Sequence, residues 1–194
     1  MELREIIKQV LSARRRKTAS TGRWTGAAVL VPLFEKGGRP HVLFTKRTDR
    51  VKRHKGEISF PGGVVDEKDK DSEATALRET YEEIGLSPEN TKILGKLDDA
   101  FTVSSAYLIT PIVAEIVYPY PFRINEEEIE ELIEIPLEAF LDRDRWREET
   151  YSHGGEKVLS YRFEYEGRII WGATARIMRQ FLDVLFGDRP GVQR

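Results

Sequence analysis

The chain of 194 residues contains no cysteine, only three histidines and no long hydrophobic run. The absence of cysteine excludes disulfides, thiolate zinc sites and cysteine nucleophiles, so oxygen ligands or the few histidines must hold any metal. The longest apolar run, residues 27–34, is far too short to span a bilayer. The N-terminal segment carries acids near its start and no apolar core, unlike a signal peptide. We expect a soluble, cytoplasmic protein with no membrane partner.

The chain also lacks an excess of charge of either sign. It has 31 Lys and Arg against 33 Asp and Glu, a net charge of −2. That balance argues against a nucleic-acid partner bound through a uniform positive field. The total nevertheless hides two runs, because residues 46–55 carry six Lys or Arg and residues 126–134 carry six Glu. Each run alone fits a solvated or salt-bridging surface, and we predict the second to be an acidic loop.

The hydrophobic periodicity predicts one α/β domain. Amphipathic helices are expected over residues 2–15 and 174–186, and a short helix over 136–141. Strands are expected over residues 27–34, 41–45, 57–60, 92–97, 106–118, 159–165 and 168–171. The first two strands should form a hairpin across residues 36–39, and the last two a hairpin across 166–167. Helices interspersed with strands predict a mixed sheet covered by helices on both sides.

The segment that carries chemistry is a predicted helix between Asp71 or Ser72, as N-cap, and the helix-ending Gly85. We expect one face to pack onto the sheet through Ala74, Leu77, Tyr81 and Ile84. The opposite face should carry three carboxylates at i, i+3 and i+4, those of Glu79, Glu82 and Glu83.

Three carboxylates at this spacing repel each other, and a structural helix gains nothing from them. A divalent cation reverses the sign, because clustered hard oxygen ligands are what Mg²⁺ or Mn²⁺ requires. Arg78, four residues before Glu82, is positioned to orient that carboxylate. Gly62 and Gly63 permit close backbone approach, so that a carbonyl there can join the metal ligands. From the helix pattern alone, a charged solvent face remains the alternative.

Gly62-Gly63 followed by Arg78-Glu79-Thr80-Tyr81-Glu82-Glu83-Ile84-Gly85-Leu86 resembles the Nudix box of hydrolases that act on nucleoside diphosphates linked to another group. Fourteen residues separate Gly63 from Arg78, one more than the usual spacing. Asp69 stands where a Glu is expected, and Thr80 replaces an aliphatic residue.

The resemblance implies a Nudix-type α/β/α sandwich over residues 25–186, preceded by a helix and lead-in over 1–24 and followed by a tail over 187–194. It also implies Mg²⁺ or Mn²⁺ as cofactor. The implied metal ligands are Glu79, Glu82, Glu83 and Gly63, and the implied catalytic residues are Glu82, Arg78 and Glu128. Glu82 is our first candidate for the general base, and Glu128, from the acidic run, is the second.

Further residues resemble the extra motif of the coenzyme A pyrophosphatase branch: Leu43 to Thr48, Lys52, Gly56, Phe60 to Gly63 and Trp171 to Thr174. This resemblance implies hydrolysis of coenzyme A or acyl-coenzyme A to 3′,5′-ADP and 4′-phosphopantetheine or its acyl form. The implied substrate-binding residues are Arg47, Lys52, Gly56 and Phe60. Lys52 stands where the branch usually has Arg, which removes bidentate phosphate contact.

Several alternatives stay open at this point. A pyrophosphatase of ADP-ribose, nucleotide sugars or house-cleaning nucleotides would use the same box, and a non-catalytic nucleotide-sensing module would use the same scaffold. Arg53 and Lys55 are additional candidates for binding phosphate. His54 is expected to be a structural or surface residue, and Trp171 a packed indole at a sheet-to-helix junction. The oligomeric state is left open.

Overall fold

The computed structural model describes residues 2–20, 22, 24–51, 54–102, 106–153 and 156–187. Within these residues the chain forms three α-helices: α1 (Leu3–Ala13), α2 (Ser72–Ile84) and α3 (Gly172–Phe186). The strands are β1 (Thr25–Lys36), β2 (Arg39–Arg47), β3 (Ile58–Ser59), β4 (Gly62–Val64), β5 (Thr91–Lys96), β6 (Ala100–Phe101), β7 (Tyr107–Ile116), β8 (Ile129–Pro136), β9 (Trp146–His153), β10 (Glu156–Tyr165) and β11 (Arg168–Trp171). Short 3₁₀ segments cover Pro88–Asn90, Leu137–Leu141 and Arg143–Arg145.

The main sheet is mixed, as predicted. Its central order is β3-β2-β1-β7-β5, with β8 added to β2, β4 to β1 and β6 to β7. The long strands β1 and β7 run parallel, whereas the other pairs in this sheet are antiparallel. The predicted hairpin of β1 and β2 turns over Gly37 and Gly38.

Helices cover both faces of this sheet and close two hydrophobic cores. On one face α2 packs Ala76 and Ile84 against alternate residues of β1 such as Ala28 and Leu30. On the other face α1 and α3 share a larger core with the sheet. The helix residues in that core are Ile7, Leu11, Ala175, Ile177, Met178, Phe181 and Leu182. The predicted α/β/α layering is therefore confirmed, and of the three α-helices described, α2 lies on one side and the other two lie on the opposite side. The predicted boundary after residue 24 stays a prediction, although α1 contributes to the core that follows it.

A second, antiparallel sheet of order β11-β10-β9 was not predicted beyond the hairpin of β10 and β11. It joins the larger core through aromatic rings. Phe163 of β10 stacks on Phe140 with ring centroids 4.3 Å apart, and Trp146 of β9 lies 4.9 Å from Phe163. The Trp146 indole N–H donates to the Phe140 carbonyl at 2.9 Å. These contacts attach the small sheet, and the start of α3 that follows it, to the main body.

The predicted acidic loop over residues 126–134 is wrong for most of its length, because Ile129–Pro136 is strand β8 paired antiparallel with β2. The apolar side chains of Ile129, Ile133 and Ile135 are buried along it. Charge content suggested a loop, whereas the alternation of buried isoleucines with glutamates is that of a half-buried strand. Only residues 126–128 form a turn.

No helix in the described part of the chain is both long enough and apolar enough to cross a membrane.

Candidate active site

Helix α2 begins and ends where the sequence predicts. The Asp71 carboxylate caps its N-terminus by accepting a hydrogen bond from the Ala74 N–H at 2.9 Å. Gly85 ends it in a left-handed conformation with φ of 69°, and its N–H donates to the Tyr81 carbonyl at 2.9 Å. These two caps fix where the helix begins and ends, and its packing against β1 and β4 then decides the direction of each glutamate.

The buried face of α2 is rotated from the predicted one. Tyr81, expected to pack onto the sheet, is 56% exposed. The buried residues of the helix are Thr75, Ala76, Thr80, Glu83 and Ile84. Thr80 is accommodated because its hydroxyl donates to the Ala76 carbonyl at 2.6 Å. The prediction that all three glutamates share the face opposite the core is thus wrong for Glu83.

Glu83 lies in the seam between α2 and β4, with a side chain only 5% exposed. Its Oε2 accepts a hydrogen bond from the Gly62 N–H at 3.2 Å, and its Oε1 lies 3.6 Å from Nη1 of Arg47. Burial raises the pKa of the Glu83 carboxyl to about 8, against the opposing effects of Gly62 and Arg47. The Glu83 carboxyl therefore lies where a positive charge in addition to that of Arg47 would be favourable.

Arg78 organises the rest of the acidic face. Its Nε and Nη2 bind the two carboxylate oxygens of Asp69 at 3.0 and 2.9 Å. Its Nη1 lies 2.7 Å from Oε1 of Glu79 and 3.3 Å from Oε2 of Glu82. Its Nη2 also donates to the Val64 carbonyl at 3.0 Å. The expected contact with Glu82 is present. The paired donors Nε and Nη2 bind Asp69, however, so the arrangement is that of a residue that positions the neighbouring carboxylates.

Asp69 is a site residue that sequence reasoning did not select. Its side chain is 5% exposed, and hydrogen bonds from Arg78 hold the pKa of its carboxyl well below the usual range. Thr75 donates its hydroxyl to the same carboxylate at 2.9 Å. The signal was available, because Asp69 occupies the place where the box expects an acid. The loop with one extra residue still delivers a carboxylate to the arginine.

The two glycines before the loop are required by close contacts of different kinds. Gly62 pairs with Val29 in β1 and has a φ of +149°. A Cβ there would overlap the Ala28 carbonyl oxygen and lie 2.6 Å from Cα of Val29. A Cβ on Gly63 would overlap the carboxylate of Glu79 instead. The expected close approach of backbone is confirmed, and it brings Gly63 directly under a predicted metal ligand.

Glu128 reaches this region from the turn before β8. Its carbonyl accepts from the Thr48 N–H at 2.9 Å, and its Oε2 lies 4.0 Å from Nη2 of Arg47. The Asn125 N–H in the same turn donates to the Glu83 carbonyl at 2.8 Å. Arg47 therefore stands between Glu83 and Glu128, and its Nε is buried with no described group accepting a hydrogen bond from it.

The donor set fits a hard divalent cation in its chemistry. Burial raises the pKa of Glu79 as well as that of Glu83, and the negative charge of Glu128 adds to both shifts. A bound cation would offset the cost of keeping these carboxylates ionised. Among the described residues no three acidic or histidine side chains already converge as a metal cluster. Arg78 contacts one carboxylate oxygen of Glu79 and one of Glu82, and Arg47 lies 3.6 Å from Glu83.

A cavity of about 710 Å³ opens beside Gly62 and Gly63. This is a common size for a site that takes a small organic ligand. Its basic side chains are those of Arg47, Arg50, His54 and Arg176. Its apolar and aromatic lining includes Val29, Phe60, Tyr107, Ile109, Trp171 and Ile177. The cavity thus runs from Gly62 and Gly63 toward the start of α3.

The predicted substrate-binding residues are not all placed alike. Arg47 lines the cavity, while Phe60 reaches it with 3% exposure and stacks on Phe44 at 4.7 Å. Gly56, with φ of +66°, shapes the preceding loop by donating to the Arg47 carbonyl at 3.1 Å, and it is not part of the cavity wall. Lys52, together with residue 53, lies outside the described residues.

The glycine contacts predict that two neighbouring substitutions have different effects. Gly62→Ala overlaps backbone atoms in a strained conformation and should cost roughly 3 kcal/mol or more of unfolding free energy. Gly63→Ala meets only the end of a movable Glu79 side chain, so it should cost about 1 kcal/mol and weaken Mn²⁺ binding about tenfold or more. Urea unfolding and Mn²⁺ titration measure the two effects. Equal losses of stability, or unchanged Mn²⁺ affinity in Gly63→Ala, would contradict this geometry.

The raised pKa of Glu83 predicts how the stability of the metal-free protein changes with pH. Between its ordinary value of 4.5 and about 8, the folded state keeps a proton that the unfolded state has released. The free energy of unfolding contributed by this group therefore falls as the pH rises through that window. Glu83→Gln should remove this slope and be no less stable than the wild type above pH of about 8, by urea unfolding in EDTA. Glu130→Gln, on the exposed side of β8, should retain it. An unchanged slope in Glu83→Gln would show that the carboxyl is ionised throughout.

Comparison with known proteins agrees with this arrangement. The NUDIX domain family matches residues 24–154. The uncharacterized Nudix hydrolase NudL of Pectobacterium atrosepticum is 36% identical over 164 residues, which cover 84% of this chain and 84% of that protein. The protein of the same name from Yersinia pestis (strain Pestoides F) is 39% identical over 153 residues, covering 79% of this chain and 76% of that protein.

Solved structures share the fold at low sequence identity. A binary complex of the Caenorhabditis elegans Ap4A hydrolase superposes with a TM-score of 0.50 at 21% identity, over 60% of this chain and 83% of that one. A MutT/nudix family protein from Enterococcus faecalis gives a TM-score of 0.52 at 15% identity, over 96% of this chain and 70% of that one. The family match and the two relatives, together with the box residues gathered around Gly62 and Gly63, show that the chain belongs to the Nudix family of hydrolases.

Proposed function

We propose that this protein hydrolyses a pyrophosphate bond in a nucleoside diphosphate derivative, and that its substrate is coenzyme A or an acyl-coenzyme A. The observation that carries the proposal is the meeting of two features at Gly62 and Gly63. The acidic face of α2 lies on one side of these glycines, and a cavity with basic side chains opens on the other. A diphosphate at this junction would have cations on one side and room for one of its two arms on the other.

Nudix hydrolases generally use divalent metal ions, and here Mg²⁺ or Mn²⁺ is the proposed cofactor. Glu79, Glu82, Glu83 and the Gly63 carbonyl would hold it. When bound, the ion would neutralise the diphosphate and polarise it toward attack by water. Arg78 keeps Glu79 and Glu82 in reach of that position through its fixed contact with Asp69.

Arg47 has a second task in this proposal. Its guanidinium nitrogens lie 3.6 Å from a carboxylate oxygen of Glu83 and 4.0 Å from one of Glu128. Both distances are longer than a normal hydrogen bond. A phosphate oxygen would be a better acceptor for its planar donors. As a cation took over Glu83, the Arg47 side chain would be left to bind the substrate.

Two glutamates are candidates for accepting a proton from the attacking water. Glu82 is 57% exposed and retains contact with Arg78, whereas Glu128 is 47% exposed beside Arg47. Water reaches both side chains, as a general base requires. We keep Glu82 as the first candidate and Glu128 as the second.

Coenzyme A is the proposed substrate because it carries a 3′-phosphate in addition to its diphosphate. The motif residues around Arg47 and Phe60 resemble the coenzyme A branch. The cavity offers Arg50 and Arg176 as further cations beyond Arg47. Planar guanidinium groups are well suited to a phosphate monoester.

A cytoplasmic location remains a prediction from the sequence.

A substrate panel tests this function. With Mg²⁺, coenzyme A should give 3′,5′-ADP and 4′-phosphopantetheine, identified by mass, and EDTA should abolish the reaction. The same molecule without the 3′-phosphate should show a KM about tenfold higher at similar kcat, since one charge-assisted contact is lost. Rapid turnover of ADP-ribose or of deoxynucleoside triphosphates, with coenzyme A intact, would overturn the proposal.

Variants of three glutamates test the assignment of the base. Glu82→Gln should lower kcat by about 100-fold or more and remove the acidic limb of the pH profile. Glu128→Gln should have a smaller effect. Glu130→Gln is the matched control, because Glu130 belongs to the same acidic run but pairs with Lys46 at 2.7 Å. If Glu128→Gln alone removes the acidic limb while Mn²⁺ affinity is unchanged, the base is Glu128.

A further inference from the structure

Trp171 occupies an unusual position for an indole. It is the last residue of β11 and the N-cap of α3, as the predicted sheet-to-helix junction requires. The expected packing of its ring is wrong, because the residue is 50% exposed and lines the cavity. Trp146, in contrast, is 8% exposed with its N–H bonded to a carbonyl. A large aromatic ring left open in a cavity loses the benefit of burial until a ligand covers it.

The backbone that carries this ring is held in place by strand pairing before any ligand binds. Trp171 pairs with Arg162 across the small sheet, with extended angles of φ −146° and ψ 178°. Gly172 then turns the chain into α3 with φ of +64°. The small sheet is itself attached to the core by the stacking of Phe163 on Phe140. A ligand that stacks on Trp171 would therefore not have to order the strand that carries it.

The location of Trp171 relative to the acidic helix defines which part of a substrate it would meet. The cavity that it lines also contains Gly62 and Gly63, which contact the side chains of Glu83 and Glu79. A diphosphate bound at these glycines would send one arm into the cavity. Arg50 and Arg176 line the same space as the indole. The cavity thus combines a flat aromatic face with cations for phosphate.

We propose that Trp171 is the platform on which the base of the nucleotide arm stacks, and so a specificity-determining residue. The inference rests on the proposed function in taking the substrate to be a nucleoside diphosphate derivative. The alternative occupant is the pantetheine arm, which has no flat π-face to match an indole and no phosphate to use the arginines beyond the diphosphate. Base–aromatic stacking with adjacent cations is the arrangement by which proteins hold nucleotides without reading every base edge.

The two product halves of coenzyme A separate the arms in a binding experiment without catalysis. Titration of the wild type with 3′,5′-ADP should quench the fluorescence of Trp171, and 4′-phosphopantetheine should not. Trp171→Ala should weaken 3′,5′-ADP binding about tenfold, the usual effect of removing one stacking partner. Trp171→Phe should retain most of the affinity while losing the quench. In turnover, Trp171→Ala should raise KM for coenzyme A and leave kcat nearly unchanged.

Ile169→Ala is the matched control. Ile169 lies two residues earlier on β11, on the same side of the strand, and is 39% exposed, but it is not part of the cavity wall. It should bind 3′,5′-ADP like the wild type. Thermal unfolding of all three variants shows whether Trp171→Ala remains folded, and Trp171→Phe preserves the test if it does not.

The outcomes distinguish this inference from the proposed function. If coenzyme A is hydrolysed but neither Trp171 variant changes 3′,5′-ADP binding, the platform is wrong and the function stands. If 3′,5′-ADP quenches Trp171 but coenzyme A is not cleaved, the platform stands and the function is wrong. Loss of 4′-phosphopantetheine affinity in Trp171→Ala, with 3′,5′-ADP unaffected, would assign the cavity to the other arm and overturn the platform.

Discussion

The burial of one carboxyl group, that of Glu83, is the constraint on which the rest of the site depends. An isolated charge is too costly in a protein interior, so a buried acid either keeps its proton or acquires partners. Here burial raises the pKa to about 8, and the Gly62 N–H and Arg47 are the partners present. The first contact requires β4 to run between α2 and β1. The carboxylate of Glu79 on α2 then leaves no room for a side chain on Gly63, and the backbone of β1 leaves none on Gly62. The second draws the end of β2 toward the same point.

Local signals predicted α2 well because helix ends are decided by a few neighbouring residues. Asp71 and Gly85 cap the helix without help from the rest of the fold. The depth of each glutamate was not predictable in the same way. Helical spacing gives relative directions around the axis, but it does not say which direction turns toward the sheet. Tyr81 is exposed and Glu83 is buried because α2 packs against both β1 and β4, and β4 is a strand of three residues that the sequence did not reveal.

The two charge runs become intelligible once β2 and β8 are seen to be neighbours. Lys46 of the basic run lies 2.7 Å from Glu130 of the acidic run, so the surface interpretation holds for this pair. The register then shifts, because Lys46 opposes Glu131 whereas Arg47 opposes Ile129. Such a bulge changes where the following side chain is aimed. Arg47 thereby faces the acidic helix. Composition shows that the two runs are opposite in charge. Only the pairing of the strands shows that Lys46 and Glu130 form a surface ion pair whereas Arg47 belongs to the site.

The acidic site and the part of the cavity wall near α3 come from two different regions of the chain. The residues that gather around Gly62 and Gly63 fall within 24–154, the part that matches the family. Trp171 and Arg176 lie beyond it, on the small sheet and α3. The stacking of Phe140 on Phe163 couples these regions, since it joins the 3₁₀ segment after β8 to the strand paired with β11. A sequence change in the small sheet can therefore reshape the cavity without altering the carboxylates. Residue types alone suggested a packed indole at Trp171. They do not show that a cavity opens beside the junction between β11 and α3.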